Sequence, residues 1–400
     1  MAGPLPLGIP WPSNDRLSPQ GSFDTTLHAY VHIPFCEVRC GYCDFNTYTA
    51  SELEGAPRLS FHEQIISEIE FSKTVFEKSE IPERQFSSVF FGGGTPSLFS
   101  SQQIESILNS LRKNHGVRSD AEVTLEANPE TLSRDYLKSL FEIGVNRLSM
   151  GAQSFDPNVL ATLERVHDPR KVVEFVEVAK EIGFRTSIDL IFGAPGETLE
   201  SWQETLSAAT SLQTEHVSAY SLIVEPGTKL AKQIARGELN DVDEDLNAAK
   251  YELASQHFDS AGLEWYEVSN WGVPSVHNLA YWQSMDWWGY GPGAHSHISG
   301  NRFWNRKHPS AYSSSLKGGS PSAGMEVLDH RTRLEERLLL ELRIADGVPR
   351  SLLQELRVSK QKIASRISSG DLILLPNDRI GVSEKGRLVA DGIVLEFLSD

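Results

Sequence analysis

From residue 28 to about residue 260 the chain alternates short β-branched or aromatic runs with longer stretches of helical period. The runs HAYVHI (28–33), SSVFF (87–91), AEVTLE (121–126), NRLSM (146–150), RTSIDLIF (185–192) and HVSAYSLI (216–223) read as strands. Between and after them, the stretches 60–78, 101–114, 133–143, 170–182, 199–213 and 244–260 read as helices, with Ser100, Ser133 and Asp168 where N-caps belong. Six βα units in succession require a parallel sheet, because each crossover helix returns the chain to the same end. At this length the expected fold is α/β, a partial parallel (β/α)6 barrel rather than a doubly wound sheet.

The rhythm stops at a Gly/Ser/Pro-rich stretch, SSSLKGGSPSAG (313–324). Beyond it a helix at 330–344 with Leu334, Leu338, Leu339 and Leu342, a second near 350–367, a hairpin at 372–383 and a closing helix at 384–398 predict a small winged-helix-like domain. The expected divisions are a flexible tail at 1–27, a core barrel at 28–265, a connecting segment at 266–324 and the C-terminal domain at 325–400. The tail holds five of the 20 prolines and one basic residue, Arg16, which speaks against both a signal peptide and a mitochondrial transit peptide.

Composition narrows the function classes. The 400 residues are 40% hydrophobic, enough for a large core, and carry a net charge of −17. No basic stripe is present to track phosphates, and no apolar stretch nears the roughly 18 residues of a membrane span, so neither nucleic acid nor a bilayer is an expected partner. The C-terminal domain, with 12 basic and 13 acidic residues, lacks the charge for DNA and reads as a lid or partner surface. A cytoplasmic protein with reduced thiols is expected.

The chemistry is concentrated in Cys36, Cys40 and Cys43, the only cysteines in the chain, spaced C-x3-C-x2-C. Three thiolates on one loop can ligate three irons of a four-iron four-sulfur cluster and leave the fourth open to a small molecule. A structural zinc site wants four ligands, and neither His28 nor His32 continues a zinc spacing. Glycines and polar residues gather after the other strands too: GGGTP (92–96), Glu126 in LEANPE, Gln153 in GAQSF, Asp189 before FGAPGET (192–198), and EPGT (225–228). One such strand end is an ordinary turn; six in register with an open cluster mark the C-terminal mouth of a barrel as the site.

YVHIPFCEVRCGYCDFN, FFGGGTPS, TLEANPE, NRLSMGAQSF, IDLIFGAPGET and HNLAYW…GYGPGAHS resemble the radical S-adenosylmethionine superfamily. Within it they are similar to the anaerobic coproporphyrinogen III oxidase family, in its HemW-like, haem-chaperone branch. The likeness runs from about Tyr30 to the C-terminus. It implies a [4Fe-4S] cluster on Cys36, Cys40 and Cys43, S-adenosylmethionine, and haem. It further implies Tyr30, Tyr42, Gly93, Gly94, Thr95, Glu126, Gln153, Arg165 and Asp189 as S-adenosylmethionine contacts, with bare backbone at Gly92–Gly94 meeting the methionine amino group.

Two features divide the branch. The coproporphyrinogen dehydrogenase carries a further cysteine two positions beyond the triad, where this chain has Phe45. HNLAYW (277–282) resembles a motif of the haem-binding group, which implies His277 as an axial haem ligand, with His295, His297 and then His308 behind it. Six of the eight tryptophans fall between Trp265 and Trp304, which reads as apolar surface for a planar macrocycle. The resemblance therefore implies a haem carrier with a haem-accepting partner and, where radical chemistry occurs, an electron donor. The alternatives are the oxidative decarboxylation of coproporphyrinogen III and a radical reaction on another tetrapyrrole.

Overall fold

The computed structural model describes residues 7–20, 25–53, 58–165 and 167–399. Six parallel strands form the centre of one large sheet: β1 (Leu27–Ile33), β2 (Phe86–Gly93), β3 (Val117–Ala127), β4 (Arg147–Gln153), β5 (Arg185–Phe192) and β6 (His216–Ser221). The intervening helices are α1 (Phe61–Lys78), α2 (Ser101–Asn114), α3 (Arg134–Glu142), α4 (Pro157–Thr162), α5 (Pro169–Ile182) and α6 (Leu199–Ser211). After β6 come α7 (Lys229–Ala235) and α8 (Glu244–Ser260). Side-chain oxygens of Ser100, Ser133, Asp156, Asp168, Thr198, Thr228 and Asp243 accept from the first-turn amides of α2 to α8, which is why these helices begin where they do.

The sheet continues on both sides. β7 (Trp265–Glu267) and β8 (Asn270–Gly272) add antiparallel strands next to β6, and a short helix, α9 (Val276–Trp282), follows them. β9 (Asp286–Tyr290) lies parallel beside β1, and β10 (His295–Ile298), β11 (Asn301–Asn305) and β12 (Ser322–Val327) continue antiparallel from it. The order is β12-β11-β10-β9-β1-β2-β3-β4-β5-β6-β8-β7, and the sheet does not close. It is the expected partial barrel, with six strands more than the βα rhythm showed.

Each central strand alternates two kinds of residue. Ala29, Val31, Val89, Phe91, Val123, Leu125, Leu148, Met150, Ile188, Leu190, Val217 and Ala219 face the helices and form the main core. Most intervening positions are polar: His28, Tyr30, Ser88, Glu122, Glu126, Ser149, Ser187, Asp189, His216 and Ser218, with Phe90 and Ile191 among the exceptions. His28 with Ser88, Ser149 and Ser218 with Asp189, and Ser187 with His216 hydrogen-bond across neighbouring strands, so these alternate positions share the other, lumen face. Strand register then places Asp189 between Gly151 and Ser218, and Gly92 beside His32.

A helix, α10 (Pro309–Leu316), precedes β12, and α11 (His330–Glu341) opens the C-terminal domain. There β13 (Val348–Pro349), α12 (Arg350–Glu355), α13 (Lys360–Ser368), β14 (Leu372–Leu375) and β15 (Arg379–Val382) give the winged-helix order, followed by α14 (Glu384–Arg387) and α15 (Ala390–Leu398). The single helix expected over 350–367 is two, broken where Arg357 takes φ 61° and Ser359 caps the second.

The Pro-rich tail differs from expectation. Residues 1–6 and 21–24 lie outside the described residues, but 7–20 form a strap along the molecule. Ile9 makes an antiparallel bridge to Met325, Leu17 is buried, and the Trp11 ring packs on Phe71 and Phe303. Three apolar anchors at this spacing hold the segment although prolines deny it secondary structure. No helix among the described residues is long and apolar enough to cross a membrane.

Candidate functional site

The cysteine loop leaves the end of β1 and is pinned along its length. Cys36 N donates to Tyr48 O (3.0 Å), Gly41 N to Leu163 O (3.3 Å), and Leu230 N to Gly41 O (2.9 Å). Tyr42 packs into a second small core of Val159, Leu163, Ile191, Ala194, Leu222 and Leu230, which clamps the loop between α4 and α7. All three thiols are free and partly accessible, and burial pushes Cys43 up to about 11. Among the described residues no three His, Cys, Asp or Glu side chains gather around a point where a single metal ion would sit. A mononuclear zinc site is therefore poorly served, whereas a cuboidal cluster asks each thiolate to meet a different iron.

The glycines after β2 are required by the cysteine loop itself. A β-carbon on Gly94 would lie 2.5 Å from Phe35 O and 3.0 Å from Cys36 Sγ; one on Gly93, at φ +116°, would lie 2.6 Å from His32 Cε1. The sequence reading gave these glycines to the ligand, and the geometry adds backbone packing as a sufficient cause. Thr95 Oγ1 stands 3.9 Å from Cys36 Sγ, and Gly93 N donates to Glu126 Oε2 (3.1 Å).

The remaining predicted contacts converge on this loop from the lumen side. Arg165 Nη1 donates to Cys40 Sγ (3.5 Å) and Nη2 to Gly151 O (2.8 Å), while its buried Nε has no protein partner. Gln153 sits at a register shift ending β4 with φ 62°, a left-handed turn that brings its amide close to Gly151. Asp189 accepts from Ser218 Oγ (2.7 Å) and Ser149 Oγ (3.0 Å). Enclosure and the neighbouring Asp189 push Glu126 up to about 8, against the lowering bond from Gly93. Burial raises Asp189 as well, and Tyr30 and Tyr42 stay protonated for the same reason. Tyr30, Thr95, Glu126, Gln153, Arg165 and Asp189 all keep accessible surface, so the lumen mouth is open.

These residues fit S-adenosylmethionine. An orphaned guanidinium Nε beside the cysteines suits a carboxylate, and two carboxyls suit amino and hydroxyl donors. Sequence reasoning missed Ser149 and Ser218, which hold Asp189, and His32, whose Nδ1 bonds Tyr30 OH (3.0 Å). It also missed a buried pair, Lys250 Nζ to Glu197 Oε2 (2.8 Å), which braces the GAPGET loop where Gly193 N donates to the same carboxylate (2.6 Å). The signal for His32, Ser149 and Ser218 was a polar residue at alternate positions of otherwise apolar strands; Lys250 and Glu197, on a helix and a loop, carried no such signal.

His277 is elsewhere. It is buried inside the sheet, Nδ1 bonded with Ser88 Oγ (2.7 Å) and Nε2 with Tyr281 OH (2.8 Å), its ring stacked on Phe90. Both nitrogens are engaged, so in this arrangement neither is offered to haem iron. The chain of bonds continues from Ser88 to His28 and Thr26. Asn278 ties Tyr266 to Glu267, and Glu122 accepts from Ser275 Oγ (3.0 Å) and His277 N (3.2 Å), anchoring α9 from below. Most of the tryptophan-rich segment is not an outer platform either: Trp271, Trp288 and Trp304 are core residues and Trp265 is buried, while Trp282 and Trp287 are half-buried. His297 lies against Met285 O and Trp287, and His308 caps α10. His295 and His308 are the exposed ones; His295 stacks on Trp304 at 5.9 Å, whereas the His308 Nδ1 accepts from Ser310 N.

Comparison with known proteins gives a consistent picture. Residues 30–209 match the family model described as the radical SAM superfamily. The chain is 39% identical to the haem chaperone HemW of Mycobacterium tuberculosis, over 92% of this chain and 94% of that one. It is 35% identical to HemW of Bacillus subtilis, over 90% and 92%. With the mitochondrial radical S-adenosyl methionine domain-containing protein 1 of Bos taurus the identity is 32%, over 97% and 91%. The solved structure of coproporphyrinogen III oxidase (HemN) from Escherichia coli superposes with a TM-score of 0.79 at 24% identity, covering 94% of this chain and 91% of that one, a likeness of fold.

Proposed function

For a chain that belongs to the radical S-adenosylmethionine superfamily and, within it, to the family of the HemW haem chaperones, we propose a cytoplasmic haem carrier that binds a [4Fe-4S] cluster, S-adenosylmethionine and haem, and passes haem to an acceptor protein. The observation that carries the cofactor part is the donor set at the barrel mouth: three free thiols on a clamped loop, with the unpartnered Arg165 Nε beside them. When bound, the cluster supplies an open iron and an electron to the methionine end of its ligand. Cys36, Cys40 and Cys43 hold the irons. Arg165 pairs with the carboxylate, Glu126 accepts from the amino group, and Asp189, oriented by Ser149 and Ser218, accepts from the ribose; Tyr30, Tyr42, Gly93, Gly94, Thr95 and Gln153 complete the walls.

Phe45 supports carriage over decarboxylation. Where the dehydrogenase has its further cysteine, this chain presents a phenyl ring that is 63% exposed on the rim of the cysteine loop. For haem, the reading turns from His277 to His295, whose ring is accessible and backed by Trp304. The test is anaerobic reconstitution with iron and sulfide, followed by haem titration and a coproporphyrinogen III assay on one sample. A cluster spectrum, a Soret band that shifts in His295→Ala, and no decarboxylation are the expected results. Conversion of coproporphyrinogen III at the rate of a true dehydrogenase would overturn the carrier reading.

A further inference from the structure

Three residues beyond Cys43, the chain is bolted to a distant part of the sheet. Asn46 Nδ2 donates to Pro292 O (2.9 Å) and Lys307 O (3.0 Å), its Oδ1 accepts from Tyr48 OH (3.2 Å), and its carbonyl accepts from His32 Nε2 (2.9 Å). Pro292 belongs to the turn between β9 and β10, GYGPG, which leaves no room for side chains. A β-carbon on Gly291 would lie 2.5 Å from His32 O, and one on Gly293, at φ +75°, 2.6 Å from Asn46 Nδ2.

That turn is in turn held by Glu68, a fully buried carboxyl on α1. It accepts from Gly291 N (2.7 Å), Asn305 Nδ2 (2.7 Å), Tyr312 OH (2.5 Å) and Trp288 Nε1 (3.4 Å). Asn305 also donates to Gly291 O (2.8 Å), so the turn is fixed at both its amide and its carbonyl. Four donors on one buried carboxyl are more than packing requires, and they converge on the segment that touches Asn46.

We propose that Asn46 is a positioning residue for the cysteine loop, latching it through the GYGPG turn to Glu68. The latch rests on the reading of Cys36, Cys40 and Cys43 as cluster ligands. Only Asp44 and Phe45 separate Asn46 from Cys43, so freedom at Asn46 passes directly to the Cys43 thiolate. Residues behind metal ligands set the orientation of the ligand and, with it, the affinity and redox properties of the metal.

Asn46→Ala and Asn46→Asp both remove the two donations, and Gly293→Ala attacks the same contact from the other side. Each is reconstituted anaerobically beside the wild type and compared in iron retained against a chelator, electron paramagnetic resonance of the reduced cluster, midpoint potential, and unfolding temperature of the cluster-free protein. The expected result is cluster affinity lower by about tenfold or more, with an altered resonance or potential, while the cluster-free unfolding temperature is kept in at least one variant. Wild-type retention, spectrum and potential in all three would overturn the latch, as would losses that only follow the unfolding temperature. A wild type that takes up no four-iron cluster would instead overturn the cluster reading itself.

Discussion

Glu126 and Asp189 show how single residues in this site carry a pH dependence. A carboxyl raised to about 8 by enclosure and by Asp189 is protonated near neutrality in the unliganded protein. Ionisation is the disfavoured direction, so the unliganded fold loses stability as pH rises from the ordinary carboxylate range through about 8. On the proposed placement, S-adenosylmethionine needs the ionised form, so binding releases this proton and affinity climbs with pH until about 8. The ligand's own amino group titrates near 7.7–8.0, so the comparison is with Glu126→Gln. Below pH 8 the wild-type log affinity is expected to rise more steeply than that of the variant by about one per pH unit; equal slopes would remove Glu126 from the contact. The cysteine spacing and the strand-end residues were legible because motifs lie contiguous in sequence. Asn46 and Glu68 were not, since their partners Pro292, Asn305 and Tyr312 stand more than 200 residues away.

At the scale of elements, α9 is the informative case. The sequence placed HNLAYW at a haem; the structure shows a short helix whose His277 enters the lumen wall and whose first turn is capped by Ser275 and Glu122. His277→Ala strands the Tyr281 hydroxyl, leaves Ser88 with His28 alone and opens a cavity beside Phe90, and is expected to cost about 2–4 kcal/mol, seen as a lower unfolding temperature, with the Soret band of bound haem unchanged in the folded variant. Loss of the band at unchanged stability would return His277 to the iron. The long helices were legible because caps and apolar period agree: 101–114 and 244–260 match to the residue. The break at Arg357 was hidden, because neither glycine nor proline marks it. The added strands β7 to β12 are three to six residues long, too short for a period to show.

For the whole molecule, the strap at 7–20 links parts that the domain reading kept separate. Besides Ile9 on β12 and Leu17 N on Ser79 Oγ (2.9 Å), Ser18 O accepts from Asn301 Nδ2 (2.9 Å) and Gln20 O accepts from Arg333 of α11. Deleting residues 1–20 is expected to lower the unfolding temperature by about 5 °C or more, since Leu17 and much of Trp11 lose their packing. An unchanged transition would show the strap to be passive. On the opposite side the C-terminal domain is joined in the same way: Ile344 bridges Glu267 of β7, Ala345 N donates to Tyr266 O (2.8 Å), and Arg387 lies 3.9 Å over the Trp265 ring.

These two bridges have a consequence for solubility. A closed barrel has no margins, but an unclosed one ends in two strands whose outer amides and carbonyls invite pairing with another chain. Here Ile9 occupies part of the margin at β12 and Ile344 part of the one at β7, so the strap and the turn after α11 cover some of what closure would have satisfied. The truncated protein is therefore expected to self-associate in a concentration-dependent way, and light scattering would reveal this before any loss of secondary structure.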